Sequence, residues 1–170
     1  QFDRFAEVQR VLDAFVARIA EGELTPKLWD VQVGGRVWMD TVAKGEFGIE
    51  LAPKSKNLIM ISTGTGIAPF ISMLRTYRGA GHWRRFVLIN GVRLAADLGY
   101  RDELLALTRE DPTILYVPIA SREPAGSGWT GLRGRVQAVL EPAVFRELTG
   151  VPLEPADCHA FLCGNPAMID

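Results

Sequence analysis

The chain has 170 residues, of which 48% are hydrophobic and 23% are charged, a composition typical of a folded globular protein and not of a disordered one. Its formal net charge of −1 gives no electrostatic reason to expect nucleic acid as a partner. The apolar runs are too short to span a membrane, no signal peptide is recognised, and two cysteines are too few for a disulfide scaffold. We therefore expect a protein of the reducing cytoplasm that does not insert into a membrane.

The first 56 residues are predicted to be β-rich. Residues 13–20 indicate a strand, Thr25 and Pro26 indicate the N-cap and first position of a short helix, and residues 33–39 indicate a turn leading into a second strand. This stretch is too small for a complete barrel, so we expect a partial antiparallel β-barrel in a chain cut at both ends. A polar hinge at residues 52–56 predicts a domain boundary, with one domain over 1–56 and another over 57–170.

The rest of the chain alternates short apolar runs with helical patterns, which predicts an α/β domain with an open parallel sheet. The predicted strands lie at residues 58–61, 86–89, 114–117 and 160–162. The predicted helices lie at residues 70–77, 102–109 and 134–147, the last with a break at Pro142.

A glycine turn, defined here as residues 62–69, joins the first of these strands to the first helix. Gly64 and Gly66 allow a sharp turn and a close approach to a ligand, while the helix N-terminus presents free N–H groups that suit a pyrophosphate. Thr63 and Thr65 add hydroxyl donors, and Pro69 fits the first helical turn. A tight turn without a ligand is the alternative, but the position between a buried strand and a helix favours a phosphate site.

The turn departs from the common Rossmann fingerprint. Pro69 stands where the third glycine would be, and no acidic residue follows the second strand. Arg93 lies there instead, which would suit a phosphate, although a solvated loop cation is an equal alternative for this residue alone.

Polar residues also follow the third and fourth strands, at the edge where parallel sheets bind ligands. Ser121 and Arg122 could grip a phosphate monoester, with Arg133 and Arg135 downstream. Each could be an ordinary surface residue, but the set favours a phosphate cluster. Cys163 after the fourth strand could be a small buried residue or part of the site. The two histidines lack partners at metal-ligand spacing, so no metal site is predicted.

Taken together, these segments resemble the ferredoxin–NADP(H) reductase superfamily, especially its bacterial branch. The resemblance covers nearly all of residues 57–170 and rests on motifs that occur in the family's order. They are residues 61–70, 91–93, 100–104, 121–123, 134–136 and 161–168, with residues 22–28 and 33–37 matching the flavin barrel upstream.

The resemblance implies FAD and NADP(H) as cofactors and assigns a role to each matching position. Leu24 and Thr25 would contact FAD. The NADP pyrophosphate would be held by Thr63, Gly64, Thr65 and Arg93. Ser121, Arg122 and Arg135 would hold the 2′-phosphate, and Thr63 and Cys163 would lie at the reacting nicotinamide and flavin. The full set of expected cofactor-binding residues is Leu24, Thr25, Thr63, Gly64, Thr65, Gly66, Ala68, Pro69, Arg93, Ser121, Arg122, Arg135, Gly164, Asn165 and Met168.

The function implied by this resemblance is a flavoprotein oxidoreductase that transfers hydride between NADP(H) and FAD and single electrons to or from ferredoxin or flavodoxin. One alternative is the reductase component of an oxygenase, whose usual mark is an iron–sulfur module, and no cluster-type cysteine spacing is present in this sequence. The other alternative is a non-catalytic dinucleotide-binding module.

Overall fold

The computed structural model of the chain describes residues 16–38, 42 and 45–169. The chain divides into two compact units, Gln1–Met39 and Asp40–Asp170. The predicted boundary at residues 52–56 falls later in the chain than this division, within the second unit.

The second unit is built on an all-parallel sheet, as the sequence predicted. Among the described residues the sheet has five strands in the order β4-β3-β2-β1-β5, so β1 and β2 lie inside it and β5 forms one edge. The strands are β1 (Asn57–Thr63), β2 (Arg85–Val92), β3 (Ile114–Ala120), β4 (Leu132–Arg133) and β5 (Cys158–Cys163).

Strands β1 and β2 are buried on both faces, which explains their continuous apolar sequences. Ile59 and Ile61 of β1 cluster with Val136 and Phe145 from the two helices that precede β5. Met60 points to the opposite face, because successive side chains of a strand alternate. Burying one such large side chain contributes roughly 1.5–3 kcal/mol to folding.

Aromatic contacts join the opposite face of the sheet to the helix that follows β1. The ring of Phe47 lies 5.9 Å from that of Phe70 and 5.7 Å from that of Phe161. At the other end of the same helix, the ring of Trp83 contacts both Tyr77 and Phe86 edge to face. Helices on both faces of the sheet therefore bury it, and its carboxyl edge carries the loops that could bind a ligand.

The helices lie close to their predicted positions. The predicted break at Pro142 separates two helices, and 3-10 turns occur at Ile49–Leu51, Gly64–Ile67 and Ala95–Asp97. The helices are α1 (Thr25–Trp29), α2 (Ala68–Tyr77), α3 (Arg101–Glu110), α4 (Val136–Val139), α5 (Pro142–Thr149) and α6 (Pro166–Ile169).

The first unit departs from its predicted secondary structure. Within residues 16–38 the structure has the short helix α1 and no strand, whereas residues 13–15 and Met39 of the two predicted strands lie outside the described residues. A strand needs a neighbour to pair with, and local sequence does not reveal whether one is present. The partial β-barrel therefore stays a prediction.

Thr25 is not the N-cap of α1, contrary to the sequence prediction. Leu24 occupies that position, and Thr25 is the first helical residue. The Thr25 hydroxyl oxygen instead accepts a hydrogen bond from the Ile19 N–H at 3.1 Å, which fastens the chain that leads into the helix. Across the described parts of the chain, no helix is both long and apolar enough to cross a bilayer.

Candidate functional site

The glycine turn leaves the carboxyl end of β1 as a single 3-10 turn and passes directly into α2. Gly64 has a φ of +53°, a left-handed conformation that glycine adopts without a steric penalty. Ala68 and Pro69 then open α2, but the Ala68 N–H is bonded to the Thr65 carbonyl and Pro69 has no N–H. The backbone N–H groups without a partner inside the helix are therefore those at the start of the 3-10 turn, at Gly64 and Thr65. The turn therefore has the geometry expected of a phosphate site.

Gly66 has a structural role that the sequence did not reveal. A Cβ atom added to Gly66 would lie 2.1 Å from the Cys163 carbonyl oxygen. Because Gly66 has no side chain, the turn after β1 can pack closely against the end of β5. Its proposed contact with a cofactor stays a prediction.

Thr63 and the residues after β5 are linked directly. The Thr63 hydroxyl oxygen accepts a hydrogen bond from the Asn165 N–H at 3.0 Å. A Cβ atom on Gly164 would lie 2.1 Å from this oxygen, so the close approach also requires a glycine. Because Oγ1 serves as acceptor here, the hydroxyl proton of Thr63 is left to donate to a ligand.

Cys163 is half-buried at the same edge. Burial raises the pKa of its thiol, so the group is neutral at physiological pH and is not activated as a nucleophile. Both cysteines are free thiols. Met168 in α6 is half-buried and packs against the apolar cluster that contains Ile59 and Phe145.

Arg93 and Arg122 are neighbours across the ends of β2 and β3. The Arg122 N–H donates to the Arg93 carbonyl at 2.8 Å, and the Ser121 N–H donates to the Val92 carbonyl at 2.9 Å. The Ser121 hydroxyl also donates to the Val92 carbonyl, at 3.0 Å. The two arginine side chains are exposed, and neither forms an ion pair with any carboxylate in the described ranges.

Arg135 reaches this edge from the other side of β3. The Gly134 N–H donates to the Ala120 carbonyl at 3.0 Å, which sets the next residue, Arg135, beside the strand end that continues into Ser121. Its side chain is exposed and likewise makes no ion pair within the described part of the chain. The backbone thus gathers three cationic side chains at one edge, which suits an anionic ligand.

Arg133 does not belong to this group, although the sequence analysis considered it with Arg135. Its guanidinium donates to the carbonyl oxygens of Glu123 at 2.6 Å, Pro124 at 3.3 Å and Trp129 at 3.1 Å. These bonds brace the loop between β3 and β4 and leave Arg133 little freedom to bind a ligand.

Sequence reasoning missed Glu123 and the open cavity of about 220 Å³ beside it. The Glu123 carboxylate accepts a hydrogen bond from the Ala95 N–H at 2.6 Å. This bond is the main cause that lowers the pKa of Glu123, with the Ser127 hydroxyl and the Arg133 charge adding to it. The cavity is lined by Ala95, Arg101, Glu123, Ser127, Gly128 and Trp129.

Three other residues that the sequence predicted to bind a cofactor are Leu24, Thr25 and Thr65. Leu24 and Thr25 belong to the first unit, and Leu24 is 63% exposed. Thr65 lies in the 3-10 turn before α2 and is half-buried. No set of three or more His, Cys, Asp or Glu side chains among the described residues is arranged to hold a metal ion. The cofactor-binding roles of all these residues stay predictions.

A parallel α/β sheet with a glycine turn after its first strand and cationic side chains beyond its second and third strands defines a nucleotide-binding domain. The family model for the oxidoreductase NAD-binding domain matches residues 60–170, and the chain belongs to this family. Together with the relatives below, this match confirms the resemblance to the ferredoxin–NADP(H) reductase superfamily.

The chain is similar to curated reductases along most of its length. It is 30% identical to the flavodoxin/ferredoxin–NADP reductase of Escherichia coli over 159 residues, which are 93% of this chain and 63% of that protein. It is 41% identical to ferredoxin–NADP reductase B of Sorangium cellulosum over 111 residues, or 65% of this chain and 44% of that protein. The chain thus spans less than two thirds of the length of these relatives.

A solved structure shows the same likeness. The ferredoxin NADP+ reductase of Neisseria gonorrhoeae, determined with bound FAD and NADP, is 28% identical and superposes with a TM-score of 0.76. The match covers 89% of this chain and 60% of the Neisseria chain.

Proposed function

We propose that the protein carrying this chain is a cytoplasmic flavoprotein oxidoreductase. It would exchange a hydride between NADP(H) and FAD and pass single electrons to or from ferredoxin or flavodoxin. The observation that carries the proposal is the carboxyl edge of the sheet, where the glycine turn follows β1, Arg93 follows β2 and Arg122 follows β3. The names of the relatives support the choice of cofactors and electron partner.

The residues at this edge fit NADP(H). The start of the 3-10 turn, at Gly64 and Thr65, would offer backbone N–H groups to the pyrophosphate, and Arg93 adds a positive charge. Arg122 and Arg135, free of ion pairs to described carboxylates, match the charge of a 2′-phosphate, with Ser121 beside them.

The nicotinamide is assigned to the edge between β1 and β5. Thr63 can donate its hydroxyl proton there, and its bond to the Asn165 N–H keeps the two strand ends in register. The neutral Cys163 thiol supplies a compact, weakly polar surface, so the residue would position the ring and exclude water without reacting covalently.

FAD, when bound, supplies the step between two-electron hydride transfer and single-electron transfer. Leu24 presents an exposed apolar side chain next to the half-buried Thr25, which fits contact with a dinucleotide. The rest of the flavin site is assigned to the larger protein, since the chain spans only part of its relatives.

Absorption spectroscopy on the purified full-length protein tests this proposal. A yellow protein whose flavin absorbance is bleached by NADPH under anaerobic conditions, and recovers when oxidised ferredoxin or flavodoxin is added, is the expected result. A colourless protein that still binds NADP would instead identify a non-catalytic dinucleotide-binding module. If the flavin absorbance recovers only when an oxygenase partner is added, the protein is the reductase component of an oxygenase.

A further inference from the structure

The side chain of Glu123 connects two loops at the carboxyl edge of the sheet. Glu123 directly follows Arg122, at the end of β3, yet its carboxylate bonds to the Ala95 N–H at 2.6 Å. Ala95 opens the 3-10 turn that comes shortly after Arg93. One carboxylate therefore ties the loop after β2 to the loop after β3.

The backbone of Glu123 is held as well. Arg133 donates to the Glu123 carbonyl at 2.6 Å and to the Trp129 carbonyl at 3.1 Å. Trp129 is itself anchored, because its indole N–H donates to the Leu132 carbonyl at 3.1 Å. Glu123 is thus fixed through both its side chain and its main chain.

Arg122 lies between two fixed points. On one side, its own N–H is bonded to the Arg93 carbonyl at 2.8 Å. On the other side, Glu123 is held by Ala95 and Arg133. The backbone of Arg122 is therefore ordered while its guanidinium stays exposed, and ordering a binding loop in advance reduces the entropy lost when a ligand binds.

We propose that Glu123 is a positioning residue that, braced by Arg133, holds Ser121 and Arg122 in place for the 2′-phosphate of NADP(H). The inference rests on the proposed function, which assigns the 2′-phosphate to Arg122. The Glu123 carboxylate is engaged by the Ala95 N–H, so it acts through the loop and not by touching the phosphate.

A comparison of two small probes tests this role. The probes are 2′,5′-ADP, which carries the 2′-phosphate, and 5′-AMP, which lacks it, each titrated calorimetrically into the full-length flavin-loaded protein. Glu123→Ala should weaken binding of 2′,5′-ADP about three- to tenfold and change that of 5′-AMP by less than about twofold. Glu123→Gln keeps an acceptor oxygen for the Ala95 N–H and should restore most of the affinity. Glu147→Ala removes an exposed carboxylate of α5 and serves as the control without effect.

A double-mutant cycle with Arg122→Ala separates the inference from the proposed function. In the Arg122→Ala background, Glu123→Ala should weaken 2′,5′-ADP binding by a smaller factor than in the wild type, because only Ser121 of the two residues that it positions remains. If Arg122→Ala does not weaken 2′,5′-ADP, the assignment of the 2′-phosphate to Arg122 is wrong and the positioning role falls with it, whereas the reductase activity is tested separately by the bleaching of the flavin with NADPH. If Arg122→Ala weakens it but Glu123→Ala does not, or weakens both probes equally, only the positioning role is wrong.

Arg133→Lys gives an independent check should Glu123→Ala not fold. Lysine keeps the charge but lacks the planar group that bridges the Glu123 and Trp129 carbonyls. We expect the same selective loss of 2′,5′-ADP affinity, and unchanged affinity for both probes would overturn the proposal.

Discussion

The hydroxyl of Thr63, the last residue of β1, accepts a hydrogen bond from the backbone N–H of Asn165, two residues beyond β5, over 3.0 Å. The bond crosses between neighbouring parallel strands at the edge where ligands bind. It gives Thr63 two functions, since the side chain both holds the end of β5 and retains a proton for a ligand.

Thr63→Ala should weaken NADP(H) binding without unfolding the protein. The change removes the hydrogen bond to the Asn165 N–H, which costs about 0.5–1.5 kcal/mol of stability, and a hydrogen bond to the nicotinamide part of the ligand, which costs about 0.5–1.5 kcal/mol of binding free energy. Calorimetric titration with NADP+ and urea denaturation measure the two losses separately.

Thr63→Ser is the matched control, because serine keeps the hydroxyl and loses only the methyl group. It should bind NADP+ almost as the wild type does. Unchanged affinity in Thr63→Ala would exclude the proposed contact with the ligand.

Gly66→Ala should destabilise the domain by more than about 1–3 kcal/mol, the usual cost of overpacking a site. The new methyl group would lie 2.1 Å from the Cys163 carbonyl, and backbone atoms of both chain segments would have to move. Gly79→Ala is the control, since a Cβ atom there meets nothing within 4 Å. Equal unfolding free energies for the two variants, measured in urea, would contradict the close approach of the turn to β5.

The sequence predicted the sheet well because apolar runs report burial on both faces. β1 was predicted at residues 58–61 and extends over Asn57–Thr63 in the structure. The added ends include buried polar residues, whose partners are distant in sequence: Ser62 donates to the Ile89 carbonyl at 3.2 Å, and Asn57 donates to the Asp157 carbonyl at 3.2 Å. Strand β4, with two residues, is too short to give any periodic pattern.

The site was predicted less completely, because its remaining features depend on contacts between distant segments. A glycine pattern predicts a tight turn, but that Gly66 makes room for Cys163 follows only from the pairing of β1 with β5. Likewise, Arg133 and Arg135 look equivalent in sequence. Only the structure shows that the guanidinium of Arg133 is bonded to backbone carbonyl oxygens, whereas that of Arg135 is exposed and without an ion pair among the described residues.

Cys163 should react slowly with iodoacetamide at neutral pH. Burial raises the pKa of the thiol, and the thiolate is the reactive form, so the rate should rise at a higher pH than for a free cysteine. The measurement follows the labelling of the peptide that contains Cys163 by mass spectrometry in a Cys158→Ser variant, with N-acetylcysteine as the reference. A reaction already complete at pH 7 on the time scale of the reference would exclude a buried neutral thiol.

Coenzyme choice should depend on Arg122. Its exposed guanidinium has no ion pair within the described residues and is free to meet a 2′-phosphate dianion, which NADH lacks. Arg122→Ala should therefore lower kcat/KM for NADPH roughly ten- to a hundredfold, equivalent to about 1.5–3 kcal/mol, and barely change that for NADH.

The salt dependence of KM is a second test of the contact between Arg122 and the 2′-phosphate. Because the attraction is electrostatic and partly exposed, raising the salt from about 0.01 M to 1 M shortens the screening length from roughly 30 Å to 3 Å and should raise KM for NADPH more than for NADH. In Arg122→Ala that difference in salt sensitivity should shrink, while Arg109→Ala, on the exposed end of α3, should leave it as in the wild type. A wild type that prefers NADH, or an Arg122→Ala variant that loses both coenzymes equally, would show that Arg122 does not read the 2′-phosphate.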